Sequence, residues 1–454
     1  MQTVPRPPGL PLVAHALSMR FDPLGFFERC MRRHGGLVRF EVGRRPLYLV
    51  SDPELARELL FERHRALSKD TQGMRLLGRI VGRGLLTSDG DLWRRQRRIA
   101  QPAFHKQRLA GFAQTMTAVA DEVAARWESL AARGEPVDLY HEMMVATLSI
   151  VSRTLLGTDL GRDAGEVARA LEFLLLDTRH RMSRPWSLPM RVPTPANRRF
   201  AREVAVIDGL LARVIDERVS GRARGDDLLQ MLVDAVDEET GERMDARQLR
   251  DEVVTMFIAG HETTAGALTW TFEALARHPA ARQRLDAELD ATLGDRAPTL
   301  EDLPRLPWLS QVLDESLRLR PPAWVFARWT AEPVALGGHA VPAGVTILTS
   351  PWTIHRNPRY WSDPEAFDPE RFAPERAATH HALQLVPFGA ATRLCIGRGF
   401  ALMEARLVLA TLARRFRWEM VSERPLTPLP AITLRPREAA LARLTLRAAD
   451  RKAT

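Results

Sequence analysis

Cys395 stands in the run Phe388-Gly389-Ala390-Ala391-Thr392-Arg393-Leu394-Cys395-Ile396-Gly397. Cys30 is the only other cysteine among 454 residues. Upstream, Pro387, Gly389 and small residues spell a tight, extended loop. Downstream, from Gly397 through Met403 and Glu404 to Leu409, the pattern is that of a long amphipathic helix. The thiol is therefore expected at the mouth of a helix, where unpaired N–H groups and the helix dipole favour a thiolate, with Arg393 as a nearby cation. Three chemistries suit such a residue. One is an inert buried side chain. Another is a nucleophile, for which no histidine base is indicated. The third is an axial ligand to haem iron, which requires a stabilised thiolate held on backbone donors.

A second candidate lies in a helix read from Asp245 to about Ala276. Asp245 is a good N-cap, with Gln248 three residues on. Val254, Phe257, Ile258, Ala265 and Leu268 form an apolar stripe, with His261 filling its gap. The centre reads Ala259-Gly260-His261-Glu262-Thr263-Thr264, which is poor helix chemistry. Glycine costs roughly 1 kcal/mol against alanine there, and threonine hydroxyls can bond back and bend the helix. Gly260 also suits close helix packing. His261-Glu262 does not open a zinc site, because Ala265 stands where a second histidine belongs. An alcohol beside a carboxylate suits the delivery of protons inside a dry cavity.

The cysteine loop resembles the haem-binding signature of the cytochrome P-450 family, Phe-Gly-x-Gly-x-Arg-x-Cys-x-Gly. Phe388, Gly389, Arg393, Cys395 and Gly397 match. Ala391 replaces the second glycine, which suggests slightly tighter packing against the porphyrin. The helix centre resembles the family's Ala/Gly-Gly-x-Asp/Glu-Thr-Thr/Ser. That resemblance implies that Gly260 lets dioxygen approach the backbone, that Thr263 hydrogen-bonds the activated oxygen, and that Glu262 relays protons. Glu315 and Arg318 match the family's Glu-x-x-Arg, and Arg371 in Pro369-Glu370-Arg371-Phe372 matches the arginine that joins them in a buried structural network. Trp93 and Arg97 match Trp-x-x-x-Arg, expected on a helix from about Asp91 to Ala100. With Arg328 and Arg393 they are the implied partners of the haem propionates. Leu86, Phe257, Ala259, Val325, Phe326 and Ile432 are the implied substrate-facing positions, all apolar. The motifs follow the family's order from Pro7-Pro8-Gly9 to about Pro436.

What the resemblance implies is a mainly α protein with small β-sheets, a single large triangular domain over residues 1–454. Its β-rich part is expected near residues 35–60 and 320–350. The implied cofactor is haem b, and the implied reaction is monooxygenation of a hydrophobic small molecule such as a terpenoid, fatty acid, steroid or macrolide. A peroxide-driven or rearranging haem-thiolate enzyme, or a haem protein that only binds a ligand, are the alternatives. The Glu262-Thr263 pair argues against the first two.

Composition limits the remaining choices. Hydrophobic residues make up 45% and charged residues 27%, an ordinary globular balance. Length alone suggests about three domains at ~150 residues each, but no linker, repeat or low-complexity tract divides the chain. Leu10–Leu17, interrupted by Pro11 and His15, falls far short of the roughly 20 apolar residues of a membrane span. It lacks the flanks of a signal peptide too, so a cytoplasmic monomer without a membrane anchor is expected. The net charge is +9, carried almost wholly by arginine because lysine occurs only at 69, 106 and 452. No nucleic-acid module accompanies that charge. Gly78, Gly82 and Gly84 have the wrong spacing for a dinucleotide fingerprint. Electrons must then come from an acidic ferredoxin or flavodoxin with its NAD(P)H-dependent reductase. Arg94, Arg95, Arg98, Lys106 and Arg398 are a candidate docking face.

Overall fold

The computed structural model describes residues 3–9, 14–159, 164–183 and 188–447. Helices dominate, and a five-stranded sheet joins two distant parts of the chain. Its strands are β1 (Leu37–Val42), β2 (Arg45–Val50), β3 (Leu67–Ser68), β4 (Phe326–Thr330) and β5 (Thr346–Thr349), ordered β1-β2-β5-β4-β3. Residues 53–62, between β2 and β3, are helical. The β3–β4 register sets Leu67 opposite Thr330 and Ser68 opposite Trp329, which brings Lys69 toward Arg328.

Eight helices matter for the site: α1 (Gln72–Val81), α2 (Gly90–Ala100), α3 (Leu139–Leu155), α4 (Ala164–Ser183), α5 (Pro195–Val219), α6 (Ala246–Arg277), α7 (Pro307–Leu319) and α8 (Arg398–Arg415). Side-chain caps start several of them. Asp245 accepts the Gln248 N–H at 2.7 Å ahead of α6, and Asp138 accepts the Tyr140 N–H at 3.0 Å ahead of α3. Asp89 occupies the N-cap of α2 without capping it, because its carboxylate serves other partners.

α6 runs unbroken for 32 residues, ~48 Å at about 1.5 Å per residue, through the middle of the helical core. Its stripe of Val254, Phe257, Ile258, His261, Ala265 and Leu268 is buried throughout. Gly260 admits α3 closely, since a Cβ there would meet Val151 Cγ2 at 3.0 Å. The threonines bond back without ending the helix: Thr263 to the Ala259 carbonyl at 2.6 Å and Thr269 to that of Ala265 at 2.7 Å. α8 departs from the amphipathic expectation. From Leu407 to Ala413 it is buried on every side, a core helix rather than a surface one.

Candidate active site

The cysteine loop rests on a nearly saturated ionic lattice. Glu315 and Arg318 lie one turn apart on α7, both fully buried. They meet in a two-pronged pair, Nε to Oε2 at 2.6 Å and Nη2 to Oε1 at 2.8 Å. Arg318 also donates to the carbonyls of His355, Pro364 and Ala366 at 2.7 to 2.9 Å. Arg371 approaches Glu315 at 3.4 Å and donates to the Ser362 and Asp363 carbonyls. His355, which the sequence did not single out, completes the tie. Its Nδ1–H donates to the Arg318 carbonyl at 3.1 Å, and its Nε2 accepts the Val386 N–H at 2.8 Å, at the entrance of the cysteine loop. Burial pushes His355 down to about 3, so the ring is neutral and can play both roles.

Within the loop, Gly389 at φ 72° and Ala391 at φ 58° both take the left-handed conformation. Ala391 thus occupies a glycine geometry. The consequence of replacing glycine is backbone strain of roughly 1–2 kcal/mol, not the tighter packing expected from sequence. The Cys395 N–H donates to the Phe388 carbonyl at 3.0 Å and closes the loop. Cys395 Sγ is accessible, yet it is so enclosed that burial raises its thiol above the ordinary value. Those two facts together place it on the wall of an internal cleft. The Gly397 and Arg398 N–H groups and the Arg97 cation oppose the rise without reversing it. Enclosure therefore works against the thiolate that the helix mouth favours.

Cations gather beside this cleft. Arg393 pairs with Asp89, donates to the Ser88 carbonyl at 3.1 Å and stacks 3.7 Å over the Trp93 ring. Arg97 reaches the Leu394 carbonyl at 3.0 Å, and Arg328 reaches only the Ala327 carbonyl, at 2.9 Å. Lys69 is the member that sequence reading missed. It is fully enclosed, donates to the Leu86 carbonyl at 2.6 Å, and is held well below the ordinary lysine value by burial and by Arg328 and Arg393. Burial likewise lowers Arg328 and Arg393 to about 10. One carboxylate, Asp89, acts on three of these four groups, Lys69, Arg328 and Arg393. Such a cluster is stable only if further negative charge enters it. The available signal was that Lys69 is one of three lysines in an arginine-rich chain and directly follows the short β3.

One face of α6 stays open while its neighbours are buried. Met256, Ala259, Gly260 and Thr263 all keep accessible surface, at helical steps of three, one and three. Phe257, expected to face substrate, is fully buried in the core and is corrected here to a packing residue. Met256 takes its place on the open face, as the spacing to Ala259 and Thr263 could have told. Leu86, Val325, Phe326 and Ile432 also retain accessible surface. The loop carrying Ile432 is pinned by Trp324 and Trp270, whose indole N–H groups donate to Ala431 and Leu434 carbonyls at 3.0 and 3.1 Å.

Glu262 and Thr263 are not side by side in space. Thr263 opens to the cleft, whereas Glu262 is buried. Burial raises the Glu262 carboxyl, while Thr433, Arg435 and Tyr140 lower it. Neither the Tyr140 nor the Thr433 hydroxyl is in hydrogen-bond geometry with any partner. His261 is a core histidine, pushed down to about 4 by burial. The described residues hold no cluster suited to another metal.

The basic docking face is smaller than its sequence. Arg95 and Arg98 are bound to the 237–242 loop: Arg98 to Asp237 at 3.1 Å and Glu239 at 3.0 Å, Arg95 to Glu242 at 2.9 Å. Arg94 pairs with Asp91. Lys106 and Arg398 remain exposed without an ion-pair partner among the described residues. No helix among these residues is long and apolar enough to cross a membrane.

An exposed cysteine beside backbone donors, a cluster of cations and an apolar α6 face are compatible with a haem, whose iron Cys395 would ligate and whose propionates Lys69, Arg97, Arg328 and Arg393 would meet. Comparison with known proteins agrees. A family model described as Cytochrome P450 matches residues 4–442. Cyclooctatin synthase of Streptomyces melanosporofaciens is 40% identical over 95% of this chain and 91% of its own. Cyclooctat-9-en-7-ol 5-monooxygenase of the same organism is 37% identical over 94% and 90%. Pentalenene oxygenase of Streptomyces avermitilis is 35% identical over 97% of each. The crystal structure of the cytochrome P450DA heme domain superposes with a TM-score of 0.91 at 31% identity, covering 98% of both chains. With its fold, cleft and sequence all in agreement, the chain belongs to the cytochrome P450 family of haem-dependent oxidoreductases.

Proposed function

We propose that this protein hydroxylates or epoxidises a cyclic terpenoid, using haem b, dioxygen and electrons from a ferredoxin or flavodoxin with its NAD(P)H-dependent reductase. The supporting observation is the open α6 face of Met256, Ala259, Gly260 and Thr263, apolar except for one hydroxyl, in a chain whose Cys395 is also exposed. A hydrocarbon or a terpene alcohol would be held there by burial, with few polar anchors. The relatives from Streptomyces whose names mention cyclooctat-9-en-7-ol and pentalenene support that substrate class.

Bound haem supplies the iron at which dioxygen is reduced by two electrons and two protons, one oxygen atom entering the substrate and the other leaving as water. Cys395 would ligate the iron as thiolate, because a metal deprotonates a coordinating thiol outright. The Gly397 and Arg398 N–H groups then stabilise the sulfur charge. Thr263 spends its own proton on the Ala259 carbonyl, so its oxygen faces the cleft with free lone pairs. It therefore acts as an acceptor that holds a proton donor in place. Glu262, raised by burial, carries a proton at ordinary pH more readily than an exposed carboxylate, and must swing from beside Thr433 to deliver it.

The test is turnover of cyclooctat-9-en-7-ol and pentalenene with a surrogate ferredoxin system, measuring oxygen consumed and product formed. Thr263→Ala is expected to keep electron consumption and lose most product per electron. Unchanged coupling would remove the role given to Thr263, and absence of any product from either compound would remove the terpenoid assignment. Cys395→Ser is expected to lose the strongly red-shifted Soret band of the reduced carbon monoxide complex.

A further inference from the structure

Residues 82–88, between α1 and α2, carry Leu86 and have no strand or helix of their own to hold them. Their backbone is held instead by side chains from the first turns of α6. Asp251 accepts the Arg83 N–H at 2.8 Å, and the fully buried Glu252 accepts the Leu85 N–H at 2.9 Å. Two glycines make this approach possible. At Gly82 (φ 65°) an added Cβ would lie 2.1 Å from the Asp251 carboxylate. At Gly84 it would lie 2.2 Å from Thr255 Oγ1 and 2.5 Å from the Asp251 carbonyl. Further anchors come from elsewhere: Gln96 donates to the Arg83 carbonyl at 2.7 Å, Lys69 to that of Leu86 at 2.6 Å and Arg393 to that of Ser88 at 3.1 Å, while the Thr87 and Ser88 N–H groups turn back to the Gly84 carbonyl.

The same cluster extends to the helix α5. Arg250 donates to Asp251 Oδ1 at 2.9 Å, to the Ile80 carbonyl at the end of α1 at 2.9 Å, and to Asp208 on α5 at 3.0 Å. One guanidinium therefore ties the α1 terminus, the Asp251 carboxylate and α5 together. Charge-assisted bonds of this kind are shorter and about twice as strong as neutral ones. Burying two adjacent carboxylates to hold a short loop is costly unless the position of that loop matters.

We propose that Arg250, Asp251 and Glu252 are positioning residues that fix loop 82–88, and with it Leu86, so that they determine which ligands the cleft accepts. This deepens the proposed function and rests on its reading that Leu86 faces the substrate. Slack in the clasp would let Leu86 withdraw and admit bulkier ligands. A loose Arg250 would uncouple the loop from α5.

The experiment uses the haem-loaded protein and two iron-binding probes, imidazole and 4-phenylimidazole, of which only the second fills space above the iron. Glu252→Ala is expected to change the dissociation constant for 4-phenylimidazole about tenfold, equivalent to about 1.4 kcal/mol. That for imidazole should stay within about twofold. Glu252→Gln, which keeps a carbonyl acceptor for the Leu85 N–H, should restore the ratio of the two constants. Hydrogen exchange at the Leu85 amide should speed up in Glu252→Ala and return in Glu252→Gln. Gly84→Ala, which displaces the loop without removing a charge, should shift the same ratio and serves if Glu252→Ala does not fold. A probe ratio that stays at the parent value while Leu85 exchange accelerates would overturn the proposal, leaving the clasp a purely architectural feature. Because neither probe is a terpenoid, failure of the substrate class would show in turnover and not here.

Discussion

The two walls of the cleft are built on opposite principles. Beneath the cysteine, Glu315, Arg318, Arg371 and His355 are almost wholly buried and densely paired, each carboxylate and guanidinium meeting several partners. Along α6, more buried polar atoms are left over: Glu252 Oε1, His261 Nε2, Thr255 Oγ1 and Thr264 Oγ1 have no hydrogen-bond partner among the described residues, and neither does either oxygen of Glu404 on α8, against Arg371 Nε alone among those four lattice residues. A nearly saturated lattice holds one atom, the sulfur, in a fixed place. An unsaturated wall keeps neutral acids and open acceptors where protons must move and ligands differ. Rigidity and chemistry have been assigned to different sides of the same site.

Breaking the saturated side should produce the largest effect. Arg318→Leu leaves Glu315 charged in a dry interior, and the expected loss is about 3–5 kcal/mol. Denaturant unfolding would measure it, accompanied by poor haem retention. A loss near 1 kcal/mol would mean that the lattice is less integral than its burial implies.

His355 gives the same side a pH signature. Its folded value is depressed to about 3 from an ordinary 6.5, so its contribution is complete above 6.5 and drains away as pH falls toward 3. The expected acid loss is a few kcal/mol, and unfolding followed across that window in His355→Gln should show a shallower decline than the parent protein.

The unsaturated side should respond with the opposite sign. Burial holds the Glu404 carboxyl well above 4.5, which favours its protonated form in the folded state. Stability from that group is complete below 4.5 and is lost as pH rises through the raised value. Glu404→Gln, a neutral mimic, should leave acid stability nearly unchanged and raise the melting temperature at alkaline pH. Equal effects at both ends would contradict a neutral buried acid.

The smallest effect tests the loop between the two walls. Ala391→Gly should relieve the positive-φ strain and, after the entropy of a freer unfolded chain, stabilise by about 0.5–1 kcal/mol. Ala390→Gly, at an ordinary φ of −153°, should instead cost about 0.5–1 kcal/mol. Similar values for both would refute the strain argument.

The residues themselves determined a good deal. The cysteine loop, the cap at Asp245, the buried stripe of α6 and the Glu315–Arg318 spacing are local patterns, read over one turn or one tight loop. Local chemistry is written locally, so these were legible. The mainly α fold with small sheets followed from the family resemblance that those patterns carried. The tertiary structure alone decided the rest. Lys69 joins Arg328 and Arg393 because β3 pairs with β4, a register between segments some 260 residues apart in sequence. Phe257 yields the open face to Met256 because α3 and the core choose which side of α6 is covered. Arg95 and Arg98 turn inward to a loop well over 100 residues away, and His355 reaches the cysteine loop only after the chain has folded back. Protonation belongs to this second class as well, since desolvation depends on what surrounds a group and not on its neighbours in sequence. That is why a helix mouth favours a thiolate at Cys395 while its enclosed setting opposes one.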